Sequence, residues 1–150
     1  MRTELNDALK SAMKEKDALA VSTLRLIQAA LKDRDIAART KGEPDGISDD
    51  EILGLLQSMI KQRRESIEAY KKGGRMELAE QEAGEIAVIE RFLPKQLSEE
   101  EIADAVGEVL TELEATTLKD MGKVMGALKE RYPGRMDFGK ASGMVKAKLG

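Results

Sequence analysis

The sequence predicts an all-α protein, and three observations support this fold class. Apolar residues make up 41% of the 150 residues, but aromatic residues make up only 3%, so the core must be aliphatic. Charged residues make up 35% and recur at helical spacing, as in helical proteins. No segment shows the alternating pattern of a strand. We therefore expect an N-terminal four-helix array followed by a small three-helix C-terminal module.

The first two helices are predicted from apolar spacing. Apolar residues recur three and four positions apart over residues 5–13, behind a possible N-cap at Thr3. A longer helix is predicted over about residues 17–39. Its apolar residues, Leu19 and Leu26 among them, cover more than one side, which is typical of the central helix of a domain.

The third and fourth helices have clear terminal signals. Ser48 is followed three residues later by Glu51, which is a capping-box pattern. The helix that it opens is predicted to end at Gly73-Gly74, because glycine is favoured just beyond a helix C-terminus. The fourth helix is predicted over about residues 76–92.

Arg63 lies on the apolar side of the predicted third helix, beside Met59 and Ile67 on a helical wheel. An arginine in that position needs a partner when it is partly buried. We expect an ion pair with an acidic residue of the fourth helix, Glu82 or Glu85. A ligand contact is the alternative interpretation.

The C-terminal module is predicted to begin after a hinge at residues 94–97, because Pro94 disfavours helical geometry in the residue before it. Ser98 and Glu101 form a second capping-box pattern that opens the fifth helix. Two short helices follow, over about residues 118–131 and 138–149. The sequence thus predicts an N-terminal helical domain over residues 1–93 and a C-terminal module over residues 98–150.

Composition excludes several classes of site. The chain has no Cys and no His, so it has no thiolate nucleophile, no histidine acid–base pair and no zinc site built from sulfur or imidazole. Acidic clusters occur where helices begin, and helix capping explains them. We therefore expect no catalytic residue, no metal and no cofactor. We also expect no membrane association, because no apolar run is long enough to span a bilayer. We expect a cytoplasmic location, because the N-terminus is too polar for a signal peptide.

Charge is unevenly distributed along the chain. Residues 115–150 carry eight basic and three acidic side chains, whereas residues 1–114 carry 17 basic and 25 acidic ones. The C-terminal stretch is therefore net +5 and the remainder net −8, although the whole chain is only −3. Such asymmetry favours an anionic partner for the C-terminal module.

One short pattern occurs twice within this basic stretch. MGKVMGALK at residues 121–129 matches FGKASGMVK at residues 138–146, and both contain G-K-x-x-G-x-x-K within a helical apolar period. A wheel places the small residues mainly away from the apolar stripe. One interpretation is close packing by a neighbouring helix, or a helix end at Gly139. The other is a flat surface bordered by lysines, where a sugar–phosphate backbone contacts the helix. The predicted nucleic-acid-binding residues are Lys119, Gly122, Lys123, Gly126, Lys129, Arg135, Lys140, Gly143 and Lys146.

Four motifs together carry a family resemblance. They are KQRRESI at residues 61–67, Y-x-x-GGR-x-ELA at residues 70–79, E-x-FLPKQLSEEE at residues 90–101 and KDMGKVMG at residues 119–126. In combination they resemble the GatB/YqeY family, over essentially the whole chain, and specifically its stand-alone YqeY-like branch.

The resemblance implies a function in translation. The chain resembles the helical and tail region of the B subunit of the tRNA-dependent amidotransferase. This resemblance implies tRNA contact through the C-terminal module. We therefore expect a tRNA-binding adaptor that is non-catalytic alone. The family also implies one alternative, a component of a carbon–nitrogen ligase that uses glutamine as amido-nitrogen donor within a complex. A second alternative is a module that docks on an amidotransferase or an aminoacyl-tRNA synthetase, with its glycine face against a partner helix.

Overall fold

A computed structural model covers all 150 residues and contains seven α-helices and no strand, which confirms the all-α class. The helices are α1 (Arg2–Glu15), α2 (Ala18–Thr40), α3 (Asp49–Lys72), α4 (Met76–Glu90), α5 (Glu99–Glu112), α6 (Met121–Arg131) and α7 (Phe138–Leu149). A 3₁₀ turn, Leu118–Asp120, precedes α6. No helix combines the length and the apolar character that crossing a bilayer requires.

The backbone divides into two compact units, Met1–Leu93 with α1–α4 and Pro94–Gly150 with α5–α7. In the first unit α3 packs along α4, and α2 contacts the other three helices, as expected of a central helix. The core is aliphatic, with Ile27 and Ile89 fully buried. Leu19 and Leu26, which the apolar pattern of α2 included, are nevertheless exposed, while the smaller Thr23 is buried.

Three of the four predicted helix caps are confirmed. Ser48 with Glu51 and Ser98 with Glu101 each form a capping box, and Gly73 is the C-cap of α3. The cap predicted at Thr3 is wrong, because α1 begins at Arg2 and Thr3 lies within its first turn. Met1 occupies the N-cap position without a side-chain hydrogen bond, and its amino group lies 3.9 Å from the Asp49 carboxylate.

A buried carboxylate joins three segments of the first unit. Asp35 in α2 accepts a hydrogen bond from Arg2 Nη2 at 2.7 Å and one from the backbone N–H of Ile47 at 2.9 Å. Arg2 Nη2 also donates to the carbonyl of Ile47 at 2.8 Å. Gly46, at φ 83°, lies against this carboxylate, and a Cβ there would overlap Asp35. The network therefore fixes the start of α1 and the loop before α3 onto α2.

Arg63 pairs with α4 as predicted. Its side chain is 12% exposed, and its Nε lies 3.2 Å from Glu85 Oε2 and 4.0 Å from Glu82 Oε2. Arg63 Nη1 also donates to the carbonyl of Met59. Burial, and then the charge of Glu85, raises the pKa of Glu82. These contacts give Arg63 a structural role between α3 and α4.

Candidate nucleic-acid interface

The second unit forms a three-helix cluster in which α5, α6 and α7 all contact one another. Its core consists of aliphatic residues from all three helices, and Val106, Val124 and Val145 are fully buried. A main-chain hydrogen bond attaches the loop between α6 and α7 to the segment before α5, because Leu97 N–H donates to the carbonyl of Arg135 at 2.7 Å. The buried residues of each helix lie on the side that faces this core, and the opposite side is exposed to solvent.

Helix α6 begins one turn later than predicted. The first residues of the predicted helix form the 3₁₀ turn, and the Asp120 carboxylate accepts hydrogen bonds from the N–H groups of Thr116 and Thr117. These hydrogen bonds, and then the charge of Lys123, lower the pKa of Asp120. From Met121 onward the chain is α-helical, with Val124 and Leu128 fully buried.

Helix α7 spans the predicted residues. Its N-cap is Asp137, whose carboxylate accepts hydrogen bonds from Gly139 N–H at 2.8 Å and Lys140 N–H at 3.3 Å. The helix therefore continues through Gly139 rather than ending there. Ala141 and Val145 are fully buried and face the core.

The two copies of the repeated pattern have the same burial at every position. Residues 124 and 128 are buried, like residues 141 and 145, and the glycines and lysines of both copies are exposed. The remaining positions of both copies are half-buried. Because sequence and exposure repeat together, α6 and α7 present equivalent outer faces to solvent.

The glycines on these faces border open space. A Cβ added at Gly122, Gly126 or Gly143 would meet no atom within 4 Å, apart from the neighbouring residues and the helix's own backbone. At Gly139, a Cβ would approach only the capping oxygen of Asp137, at 3.0 Å. Close helix packing, the first of the two interpretations of the repeat, therefore explains none of these glycines within the chain.

Four of the five predicted lysines have no carboxylate partner. Lys119, Lys123, Lys129 and Lys146 are exposed and form no ion pair. Lys140 is different, because its Nζ lies 3.1 Å from Glu99 Oε1 at the start of α5. The free lysines therefore lie along the two repeated helices and the turn before α6, in the part of the chain with the excess of positive charge.

Arg135 lies in the loop between α6 and α7 and is bound there by several contacts. Its Nε donates to the carbonyl of Lys95 at 3.2 Å, and its guanidinium lies 5.9 Å from the centre of the Tyr132 ring. Its half-buried side chain thus stabilises the connection between the helices. Of the nine predicted residues, it is the one with the most extensive structural role.

Two basic residues of these helices lie outside the predicted set. Arg131, at the end of α6, forms an ion pair and a hydrogen bond with Glu112 of α5, and Lys148 is exposed near the end of α7. The hydrogen bond from Arg131 lowers the pKa of Glu112. Both residues fall outside the G-K-x-x-G-x-x-K pattern, but the charge balance of residues 115–150 already included them.

Helix α5 has the opposite charge. Residues 99–114 carry seven acidic side chains and no basic one, whereas residues 115–150 are net +5. Ile102, Val106 and Val109 form the buried side of α5, so its carboxylates are on the exposed side. The unit therefore combines one acidic helix with two basic ones. Such a surface suits a polyanion that approaches α6 and α7 and avoids α5.

Comparisons with known proteins identify relatives along most of the chain. A family model described as Yqey-like protein matches residues 2–149. "Altered inheritance of mitochondria protein 41, mitochondrial" of Lachancea thermotolerans is 31% identical over 97% of this chain and 76% of that protein. A protein of the same name from Pyrenophora tritici-repentis is 31% identical over 85% of this chain and 68% of that protein. The protein of the same name from Kluyveromyces lactis is 33% identical over 73% of this chain and 58% of that protein.

These relatives contradict the expected cytoplasmic location, because all three are named as mitochondrial proteins. The expectation depended on the lack of an apolar signal peptide. That criterion recognises secretory segments only, since mitochondrial transit peptides are amphipathic and rich in Arg and Ser. It therefore carries no information about mitochondria.

The fold, the motifs and the comparisons agree on the family. The match covers nearly the whole of both units, including the repeated pattern in α6 and α7. The chain belongs to the family of YqeY-like proteins.

Proposed function

We propose that this chain is an adaptor that binds tRNA, or a similarly folded RNA, through the exposed faces of α6 and α7. The observation that carries the proposal is the open, lysine-bordered glycine surface that both helices repeat. Lys119, Lys123, Lys129 and Lys146 neutralise phosphates, while Gly122, Gly126 and Gly143 let a sugar–phosphate backbone reach the helices.

The stability cost of the glycines supports a ligand. A glycine inside a helix costs about 0.5–1 kcal/mol relative to alanine, because its unfolded backbone is more flexible. Gly126 and Gly143 lie inside helices, and alanine would fit at both without a collision. No contact within the chain offsets this cost. A partner that needs the space above these glycines offsets it. Because Gly54 of α3 also borders open space, the support comes from the repetition of such glycines beside lysines on both α6 and α7.

The aromatic residues favour recognition of shape and phosphate. The second unit has two aromatic rings, Tyr132 and Phe138, and both are half-buried against its own core. Neither ring is fully exposed, so little ring surface is left on which an unpaired base can stack. Because sequence-specific RNA binding depends on stacking and on contacts with splayed bases, we propose backbone recognition of a folded RNA.

The proposal is tested by electrophoretic mobility shift with total tRNA. Changing both Lys123 and Lys146 to Glu places two negative charges on the surface, one on each helix, and we expect affinity to fall by at least about tenfold. The matched control changes Lys61 and Lys72, two exposed lysines of α3 without ion pairs, to Glu. This control has the same net charge and should bind as the wild type does. Equal affinity of the two variants contradicts the proposal.

A protein partner is the second candidate, and exposed apolar side chains on α2 favour it. Leu26 and Ile36 are 48% and 50% exposed, and Ala29 lies between them at helical spacing. Docking on an amidotransferase or an aminoacyl-tRNA synthetase, with or without amide transfer in the complex, would cover these side chains. Affinity capture from lysate treated with ribonuclease distinguishes the two candidates, since only a protein partner survives that treatment.

A further inference from the structure

Two ion pairs connect the acidic helix α5 with the basic helices of the proposed RNA-binding surface. Glu99, in the first turn of α5, pairs with Lys140 of α7 at 3.1 Å. Glu112, in the last turn of α5, pairs with Arg131 of α6. Each pair thus gives a cation of α6 or α7 an internal carboxylate partner.

Both pairs are accessible to solvent. The side chains are 56% and 75% exposed for Lys140 and Glu99, and 41% and 53% exposed for Arg131 and Glu112. Exposed ion pairs are weak, because water and salt screen them and because two long side chains must be held in place. A phosphate group can therefore replace either carboxylate at small cost.

We propose that Glu99 and Glu112 are internal counter-ions that an RNA phosphate displaces when it binds. This inference depends on the proposed function, and it divides six of the eight basic residues in 115–150 into two groups. Lys119, Lys123, Lys129 and Lys146 are free to bind phosphate in the unbound protein. Lys140 and Arg131 bind phosphate only after they exchange partners, so the carboxylates of α5 reduce the affinity of the surface for RNA.

Neighbouring glutamates in α5 provide a matched comparison. Glu99 and Glu100 are both exposed in the first turn of α5, but only Glu99 pairs with a lysine. Glu99→Gln and Glu100→Gln therefore remove the same charge from almost the same place. Measuring both variants in the full chain, in wild-type and Lys140→Gln backgrounds, gives a double-mutant cycle that isolates the pairwise effect.

The experiment measures the dissociation constant for tRNA at one fixed salt concentration. We expect Glu99→Gln to tighten binding by about two- to fivefold, the range that corresponds to one exposed ion pair. Glu100→Gln should tighten binding by less than about twofold, because its charge acts only through screened solvent. In the Lys140→Gln background, the two substitutions should have equal effects. Thermal unfolding verifies that all variants fold.

Two results would overturn the inference while leaving the proposed function intact. One is an equal effect of Glu99→Gln and Glu100→Gln in the wild-type background. The other is tighter tRNA binding by Glu99→Gln than by Glu100→Gln that persists in the Lys140→Gln background. If neither the wild-type protein nor any variant binds tRNA, the proposed function fails and the inference fails with it.

Discussion

At the scale of single residues, Asp35 shows how one buried charge organises the first unit. Its carboxylate receives hydrogen bonds from Arg2 and from the backbone of Ile47, two segments that are distant in sequence. The sequence did not indicate this network, because no local pattern relates an arginine in the first turn of α1 to an aspartate 33 residues later. Arg63 was easier to predict, since its position on an apolar helix face required a partner nearby.

Replacing Asp35 tests the importance of this network for stability. We expect Asp35→Ala to lower the free energy of unfolding by about 2 kcal/mol, because Arg2 and the N–H of Ile47 lose their acceptor. The measurement is urea unfolding followed by circular dichroism. Asp33→Ala, an exposed position on the same helix, is the control and should change stability by less than about 0.5 kcal/mol. Equal losses in the two variants would contradict a role for the network.

The same residue determines a pH dependence. The hydrogen bond from Arg2 lowers the pKa of Asp35, so the folded chain binds this proton less tightly than the unfolded chain does. The stabilisation is therefore complete above the unfolded pKa, about 4, and is lost as the pH falls through the lower folded value. Between pH 5 and pH 3, the wild type should lose more stability than Asp35→Ala does.

At the scale of elements, helix existence and most helix ends could be predicted, because local signals determine them. Both capping boxes and the end of α3 follow from residues within one turn of the helix terminus. The start of α6 was predicted one turn early, since the apolar period does not distinguish a 3₁₀ turn from an α-helix. The exposure of Leu19 and Leu26 depends on which side of α2 its neighbours cover, and periodicity alone does not show this.

The outer face of the repeated helices could also be predicted, but the ion pairs of its basic residues with α5 could not. The wheel placed the glycines away from the core, and the structure confirms open space above them. The Glu99–Lys140 and Glu112–Arg131 pairs join helices that are far apart in sequence, so only the tertiary fold shows them. Such contacts decide which basic residues are free to bind an anion.

Replacing glycine by alanine separates stability from binding. Gly126→Ala and Gly143→Ala should each raise the free energy of unfolding by about 0.5–1 kcal/mol, because alanine favours the helix and meets no neighbour. We expect both variants to bind tRNA more weakly, since each methyl group occupies space that the RNA backbone needs. Gly54→Ala in α3 is the control, because Gly54 also borders open space. It should gain the same stability without any loss of binding, whereas unchanged tRNA affinity in all three variants would contradict the account.

At the scale of the whole molecule, charge separation within the second unit is the dominant feature. An acidic α5 and a basic pair of helices belong to the same small unit, although the chain as a whole is nearly neutral. Composition predicted the positive charge of residues 115–150, but it grouped the acidic residues 99–114 with the rest of the chain, so only the fold shows both charges within one unit. The cellular location could not be predicted in the same way, because the lack of a secretory signal peptide gives no information about mitochondria. The relatives named as mitochondrial contradict the expected cytoplasmic location.

The most direct measurement is the salt dependence of tRNA binding by the wild type and by a variant with Lys123→Gln and Lys146→Gln. The four free lysines, each neutralising one phosphate, contribute about −3 to −4 to the slope of log affinity against log salt. The variant should bind more weakly, with a slope smaller in magnitude by about 2. If the two proteins have the same slope, or if the wild type does not bind tRNA at low salt, the central claim is contradicted.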